Sequence, residues 1–275
     1  MRNKRLYICL PFIFLTVVCG CSNSGDKRQE TTAETDSTKS DTITYTVRVI
    51  NETDEDCDSA KQKDCEIVNI RYHVFDGHPS LNDSVSSRIL AIYPFEQPAS
   101  SIDEQVKGFV RDYKDFKKEP YAQGRQYELI SSTRVLRNSA ALLTLQLDSY
   151  TYTGGAHGAS MTLFINYDVG NRKVLSLDDV MKDNYRDSLN QVAELIFKKN
   201  EGLRADAPID SNSYFFTDHR FSINNNFVFT AEGIKFLYNQ YEIKPYAAGK
   251  TELLVPYAKI KSLIKPGSVL QPFLD

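Results

Sequence analysis

Residues 140–168 decide the fold, and their sequence is AALLTLQLDSYTYTGGAHGASMTLFINYD. Apolar and polar side chains alternate from Ala140 to Tyr152, and they alternate again from Met161 to Tyr167. A period of two residues is typical of a strand with one buried face. Three glycines separate the two runs. The segment therefore predicts two strands joined by a glycine-rich turn.

Patterns on both sides of this segment extend the prediction. Alternation over residues 43–49 and 67–74 predicts a β-hairpin, and apolar residues at helical spacing predict helices over 81–92 and 102–116. Further along, the sequence predicts a turn at Gly170-Asn171, a capping box at Ser176 to Asp179, a helix over 185–199, strands over 227–230, 234–237 and 252–255, and a C-terminal helix after Pro256. Because strands and helices do not alternate strictly, we expect an α+β fold of antiparallel sheets with packed helices.

Four segments follow from these patterns. Residues 1–20 predict a signal peptide, residues 21–41 a disordered tether, residues 42–138 a smaller N-terminal subdomain of hairpin and helices, and residues 139–275 a larger C-terminal α+β subdomain. The tether is assigned because its polar composition buries too little apolar surface to repay the entropy of ordering.

The N-terminus predicts export. Basic residues precede an apolar run from Leu6 to Cys19, which is too short to span a bilayer. The run ends in Val18-Cys19-Gly20-Cys21 and resembles a bacterial lipoprotein signal, in which Cys21 is acylated. A plain secretory signal is the alternative. We expect a lipid-anchored protein of the bacterial cell envelope, periplasmic or facing the surface, held to the membrane through Cys21.

The overall charge excludes one class of partner. The 275 residues carry a formal net charge of −3, and removing the segment before Cys21 removes three basic residues and no acidic one, which gives −6. Nucleic-acid-binding surfaces normally have a basic excess, so we expect no nucleic-acid partner.

The cysteines support an oxidising compartment. Cys57 and Cys65 are the two that remain after the signal is removed and Cys21 is acylated. An even pair in an exported protein is most simply a disulfide. A redox or metal role is the alternative, but the CxxC spacing typical of such sites is absent from this sequence.

The glycine-rich turn is the strongest candidate site. Thr153 to Gly158 places a histidine, His157, among glycines directly after a strand, where backbone N–H groups can approach a ligand and the imidazole can act as base or ligand. The alternative is a strand connection that needs positive φ. The other histidines lack metal-ligand spacing and no nucleophile elbow occurs, so we predict no metal, no cofactor and no catalytic residue.

Tyrosines give a second candidate surface. An exposed tyrosine can anchor a partner at low entropic cost, and half-burial on a sheet is the alternative role. The tyrosines considered are Tyr150, Tyr152, Tyr238, Tyr241 and Tyr246. The binding residues predicted from both features are Tyr150, Tyr152, Gly154, Gly155 and His157.

Five short motifs together resemble a known domain family. They are SYTYTGGAHG at 149–158, NYD at 166–168, LSLDD at 175–179, YAAG at 246–249 and VPY at 255–257. The resemblance, over roughly residues 42–264, is to the C-terminal extracellular domain of the anti-sigma-V factor RsiV, which also occurs beside the catalytic part of the peptidoglycan deacetylase PdaC. Residues 42–138 resemble the PdaC-type N-terminal part and residues 139–275 the RsiV-like part.

The resemblance implies a recognition domain without established catalysis. In anti-sigma-V factors the domain binds lysozyme and exposes the protein to proteolysis. This sequence contains neither a sigma-binding segment nor a deacetylase domain, so we expect neither sigma release nor deacetylation. We expect a non-enzymatic envelope module that binds a lysozyme-like protein or peptidoglycan fragments. An envelope hydrolase that uses His157 with remote carboxylates and a purely structural lipoprotein are the alternatives.

Overall fold

The computed structural model describes residues 42–57, 65–92, 99–122, 124–209 and 213–274. The predicted signal peptide, the acylation of Cys21 and the tether of residues 21–41 lie outside the described residues. In these ranges, no helix has both the length and the apolar character that crossing a membrane requires.

A six-stranded sheet forms the larger layer. Its strands follow one another in chain order across the sheet: β1 (Tyr45–Thr53), β2 (Glu66–Phe75), β3 (Glu128–Asn138), β4 (Leu142–Tyr152), β5 (Ala159–Asp168) and β6 (Lys173–Val174). The alternating segments of the sequence account for β1, β2, β4 and β5. Residues 140–168 form the predicted pair of strands as the β4–β5 hairpin, in which Thr151 pairs with Ala159.

One strand pair departs from the predicted antiparallel arrangement. β2 and β3 are parallel, while the other neighbouring pairs of the sheet are antiparallel. Two helices separate these strands in sequence, α1 (Pro79–Leu90) and α2 (Ile102–Phe116). The helical crossover carries the chain back to the end of the sheet at which β2 begins, so β3 runs in the same direction as β2. The α+β class is confirmed with this one difference.

Helix ends follow the capping signals. Ser101 is the N-cap of α2, and its side chain accepts a hydrogen bond from the Glu104 amide. Ser176 and Asp179 form the predicted capping box at α3 (Leu177–Val180). An oxygen acceptor at the N-cap satisfies an amide that has no partner in the helix, which explains why both helices begin where the sequence indicates.

A second layer is built from the C-terminal residues. A three-stranded antiparallel sheet contains β7 (Phe227–Phe229), β8 (Gly233–Tyr238) and β9 (Thr251–Pro256). The two remaining helices are α4 (Tyr185–Asn200) and α5 (Tyr257–Ile260). The predicted C-terminal helix is therefore short, and a 3₁₀ turn over Lys261–Leu263 continues it.

The two faces of the large sheet have different neighbours. On β4, Leu143, Leu145 and Leu147 belong to the same buried cluster as the apolar residues of α1 and α2. The opposite face carries Leu142, which belongs to the core of the second layer. Because successive side chains point to opposite faces, Gln146, Asp148, Tyr150 and Tyr152 lie on the face away from α1 and α2. We call this the outer face.

Asparagine side chains join the second layer to β5. Asn226 accepts a hydrogen bond from the Phe164 amide (3.0 Å) and donates to the carbonyl of Thr162 (2.8 Å). Asn239 accepts from the Thr162 amide at 2.7 Å. Amides of asparagine thus take the place of a neighbouring strand along this part of β5, and they satisfy backbone groups that a buried edge would leave without partners.

The predicted disulfide is present. Cys57 and Cys65 are bonded to each other and join the end of β1 to the start of β2. Next to the disulfide, Asp54 accepts hydrogen bonds from Lys117 (2.8 Å) and from the Tyr113 hydroxyl (2.7 Å). Burial alone would raise the pKa of Asp54, but these hydrogen bonds outweigh it and lower that pKa. The hairpin is therefore fixed to the C-terminal end of α2.

The predicted boundary between residues 138 and 139 falls in the turn between β3 and β4. These two strands are neighbours, and Asn138 pairs with Leu143 in the same ladder. The six-stranded sheet consequently takes strands from both sides of that boundary.

Candidate functional site

The glycine turn between β4 and β5 is held by side chains from three parts of the chain. Arg125 donates to the carbonyl of Gly154 at 3.0 Å, and the Tyr152 hydroxyl donates to that of Gly155 at 3.0 Å. The Tyr246 hydroxyl donates to the Gly158 carbonyl at 3.1 Å. The shape of the turn therefore depends on tertiary contacts as well as on glycine.

Two of the glycines are required for separate reasons. Gly154 has a φ of 78°, and a Cβ there would lie 2.6 Å from the ring of Phe116. Gly158 does not have a positive φ, but a Cβ on it would overlap the ring of Tyr150. Gly154 therefore has the positive φ that the alternative interpretation of this turn requires, and at both positions an aromatic ring occupies the space of a Cβ.

His157 lies among tyrosines. Its ring stacks on Tyr246 with a centroid separation of 4.2 Å. The Nε2 atom is 3.3 Å from the Tyr241 hydroxyl, and Nδ1 is 3.0 Å from the carbonyl oxygen of Gly158. If Nδ1 carries the proton, it donates to that carbonyl and leaves Nε2 to accept from Tyr241.

We call Tyr150, Tyr152, His157, Tyr241 and Tyr246 the Tyr–His cluster. Tyr241 is 56% exposed and His157 is also exposed, whereas Tyr150, Tyr152 and Tyr246 are half-buried. Burial raises the pKa of the Tyr150 hydroxyl above its usual value, and the nearby Glu128 carboxylate raises it further. Protonated hydroxyls and partly exposed rings give the cluster both hydrogen-bond donors and apolar contact area.

The predicted site residues meet at one turn, with one correction. The five predicted binding residues all belong to the turn or to the strand before it. Tyr241 and Tyr246 join them from the loop between β8 and β9, but Tyr238 is 1% exposed and its hydroxyl donates to the Ser222 carbonyl at 2.8 Å. Tyr238 is therefore a core residue. Arg125 was missed because no local motif marks it.

A polar network continues from the cluster along the outer face. Gln146 donates to Asp148 at 2.7 Å, and the Thr162 hydroxyl donates to the other oxygen of Asp148 at 2.6 Å. At its ends, Arg134 donates to Gln146 at 2.9 Å and Lys250 donates to Thr162 at 2.6 Å. We call these five residues the outer-face network. Tyr150 follows Asp148 by two residues and lies on the same face.

Catalytic groups are not assembled around His157 in the part of the chain that the structure describes. Its contacts are a carbonyl oxygen and tyrosine side chains. Over the same ranges, no three His, Cys, Asp or Glu side chains converge in a way that could hold a metal ion. Two neighbouring carboxylates have structural partners: Asp179 forms the Ser176 capping box, and Asp178 accepts hydrogen bonds from Tyr185 (2.7 Å) and Arg186 (2.9 Å).

Two open clefts lie elsewhere on the surface. One, of about 540 Å³, is beside the start of α4 and is lined by residues that include Lys182 and Arg186. The other, of about 490 Å³, lies at the C-terminal end of α2 and is lined by residues that include Lys117 and Arg125. Arg125 therefore connects the second cleft to the glycine turn.

Comparison with known proteins identifies two family models. Residues 59–160 match the model described as "Deacetylase PdaC", and residues 178–258 match "Protein of unknown function (DUF3298)". The glycine turn lies at the end of the first match, and the loop that carries Tyr241 and Tyr246 lies within the second. Over these two ranges the chain is therefore similar to DUF3298/PdaC-like domains. The resemblance to the PdaC family noted from the sequence is confirmed.

A curated relative is similar to part of this chain. It is the peptidoglycan-N-acetylmuramic acid deacetylase PdaC of Bacillus subtilis strain 168, which is 23% identical over 165 residues. The match covers 59% of this chain and 34% of PdaC, so the chain spans about a third of the length of that relative.

Solved structures share the fold of this chain. A DUF3298 family member from Bacteroides fragilis NCTC 9343 aligns with a TM-score of 0.62 at 24% identity, over 84% of this chain and 97% of its own. A DUF3298 family protein from Pseudomonas aeruginosa PAO1 aligns with a TM-score of 0.64 at 24% identity, over 82% and 95%. At this identity the likeness concerns the fold alone.

Proposed function

We propose that this protein is a cell-envelope binding module and that the Tyr–His cluster is its binding surface. The observation that carries the proposal is the convergence of His157, Tyr241 and Tyr246 on one exposed turn from elements that are far apart in sequence. Aromatic side chains that are grouped and partly exposed are typical of recognition surfaces, since they lose little conformational entropy when a ligand covers them.

The comparisons support an association with the cell wall. The name of the Bacillus subtilis relative describes a deacetylase of peptidoglycan, and this chain matches about a third of its length. Together with the lipoprotein signal predicted at residues 1–20, this favours a lipid-anchored module that faces the cell wall. Its candidate ligands are peptidoglycan fragments and a lysozyme-like protein.

Direct binding measurements test the proposal. The chain from Ser22 onward is titrated with lysozyme and, separately, with muropeptides up to about 100 µM, a weak limit for a functional contact. We expect binding to at least one of them and a loss of at least tenfold for Tyr241→Ala. Leu195→Ala on α4 is the matched control, because Leu195 and Tyr241 are both 56% exposed. Absence of binding to both ligands contradicts the proposal.

The same samples separate binding from catalysis. A hydrolase that uses His157 should release soluble fragments from purified cell walls, and His157→Ala should abolish that release. A binding module should release none, while His157→Ala weakens binding because the stacking on Tyr246 is lost. A purely structural lipoprotein should neither bind nor release fragments.

A further inference from the structure

We infer that the ligand of the proposed binding surface is a glycan chain, bound along the outer-face network next to Tyr150. This inference rests on the proposed function and narrows it to one ligand class. It is carried by the juxtaposition of the network Arg134–Gln146–Asp148–Thr162–Lys250 with the Tyr–His cluster on the same part of the sheet.

The network is fixed before any ligand binds. Both oxygens of Asp148 are engaged, one by Gln146 at 2.7 Å and the other by Thr162 at 2.6 Å. Their orientation is set by strand pairing, since Asp148 stands opposite Thr162 in the β4–β5 ladder. Polar groups that are held in place by neighbours discriminate well between ligands, because they lose little entropy on binding.

The chemistry of the network suits hydroxyl and amide groups. Gln146 and Asp148 are half-buried, while Arg134 and Lys250 are exposed and retain unused N–H donors. A sugar ring offers hydroxyl groups that both donate and accept hydrogen bonds at its edge, and apolar C–H groups on its face. The Tyr–His cluster, to which Tyr150 belongs, supplies aromatic surface for the apolar face of the sugar directly beside the outer-face network.

The charges on this face argue against a basic protein as its ligand. Cross-strand pairing aligns Arg71 with Ser132 and Ser132 with Asp148, so Arg71 belongs to the same row. With Arg134 and Lys250 the row has three cationic side chains, against the carboxylates of Asp148 and Glu128. Lysozyme is a basic protein and would be attracted by an acidic surface, which this face does not provide.

The residues beside the outer-face network are exposed, which leaves space for an extended ligand. Ile130 is 40% exposed and pairs with Tyr150, and Ser132 next to it is exposed. On the other side, the loop between β8 and β9 borders the face through Lys250 on Thr162 and Tyr246 on Gly158. A chain of sugar rings that follows this border would contact the network and the Tyr–His cluster together.

The test uses chitotetraose, a neutral N-acetylglucosamine oligomer without peptide, titrated into the chain from Ser22 onward by calorimetry and by NMR. We expect saturable binding, a loss of at least tenfold for Gln146→Ala and for Lys250→Met, and unchanged binding for Lys199→Met. Lys199 is an exposed lysine on α4, remote in sequence from the network. Circular dichroism and the melting temperature of each variant show whether it is folded.

The outcomes distinguish this inference from the proposed function. Chitotetraose binding that is weakened by Gln146→Ala and Lys250→Met supports both. Lysozyme binding that is lost in Tyr241→Ala, without binding of chitotetraose, overturns the glycan inference and leaves the proposed function standing. Glycan binding that is insensitive to both network variants overturns the assignment to the outer face. Absence of binding to chitotetraose, muropeptides and lysozyme overturns both proposals.

Discussion

At the scale of single residues, Gly158 shows how the glycine turn depends on packing. Its φ is one that other residues adopt, so backbone conformation does not require glycine there. The ring of Tyr150 occupies the space that a side chain would need. Glycine at this position therefore leaves room for the Tyr150 ring against the turn, so the position of this predicted binding residue depends on the absence of a Cβ at Gly158.

Replacing Gly158 by alanine tests this dependence. We expect Gly158→Ala to lower the free energy of unfolding by about 1–3 kcal/mol, since the added methyl group forces the Tyr150 ring or the turn to move. Gly155→Ala is the matched control, because a Cβ at Gly155 has its nearest neighbour at 4.0 Å. Urea unfolding measures both. Equal stability of the two variants would contradict the packing argument.

His73 gives the fold a dependence on pH. Burial lowers the pKa of His73 below its usual value, and the charge of Arg71 lowers it further. The unfolded chain then binds more protons than the folded chain as the pH falls through 6.5, the value of an unperturbed histidine. Stability is therefore retained above this pH and declines below it.

The expected result is a free energy of unfolding that decreases from pH 7 to pH 5. His73→Phe should reduce the slope over this interval, because the variant removes the titrating group and keeps an aromatic ring beside Tyr45 and Phe75. The burial of His78 also lowers its pKa, so part of the slope should remain. Chemical unfolding at a series of pH values measures the slope of the free energy of unfolding against pH. An unchanged slope in His73→Phe would assign the pH dependence to other groups.

At the scale of elements, the two sheets are connected by side chains in place of a shared ladder. Asn226 forms hydrogen bonds with the backbone of Thr162, Phe164 and Leu237, and so bridges β5 and β8. Asn166 makes a comparable pair with the backbone of β7, donating to Phe227 at 2.8 Å and accepting from Phe229 at 2.9 Å. Loss of such a bridge weakens the hydrogen bonding of several backbone groups at once.

The substitution Asn226→Ala should therefore be costly. We expect the free energy of unfolding to fall by about 1–3 kcal/mol, because the Phe164 amide loses its asparagine acceptor. The carbonyls of Thr162 and Leu237 lose one donor each and keep another, from Asn239 and Asn224. Asn225→Ala is a stringent control, since Asn225 is the adjacent residue, of the same type, and is exposed. We expect that control to stay within about 0.5 kcal/mol of the wild type. Comparable losses in both variants would show that Asn226 has no special role.

At the scale of the whole molecule, the six-stranded sheet combines residues from both predicted subdomains. β3 and β4 lie on either side of the predicted boundary and pair from Glu128 with Tyr152 to Asn138 with Leu143. The core beneath them draws on α1 and α2 as well as on β4 and β5. Strands that share a hydrogen-bond ladder and a core stabilise one another, so they are expected to unfold together.

We therefore expect one unfolding transition for the chain from Ser22 onward. Far-ultraviolet circular dichroism and tyrosine fluorescence should give the same midpoint in urea, and Asn226→Ala should shift both midpoints equally. Tyrosines occur on both sides of residue 138, so fluorescence reports on both parts. Two separated transitions would instead show that residues 42–138 and 139–275 fold as independent units.

Local elements and the covalent link could be predicted from the amino-acid sequence. Alternation predicted β1, β2, β4 and β5, helical spacing predicted α1, α2 and α4, and cysteine usage predicted the Cys57–Cys65 disulfide. It also located the glycine turn and its histidine. These features depend on periodicity, capping and composition, which are properties of residues close together in the chain.

How these elements pair and pack against one another is visible only in the tertiary structure. The parallel pairing of β2 with β3, the asparagine bridges and the burial of Tyr238 have no local signal. The candidate site depends on the same level of organisation, since Tyr241 reaches His157 across 84 positions of sequence. The apolar periodicity of a segment specifies which side of a helix or strand is buried. The element that covers this side is selected by packing between distant segments. The same packing assembles the Tyr–His cluster and the outer-face network.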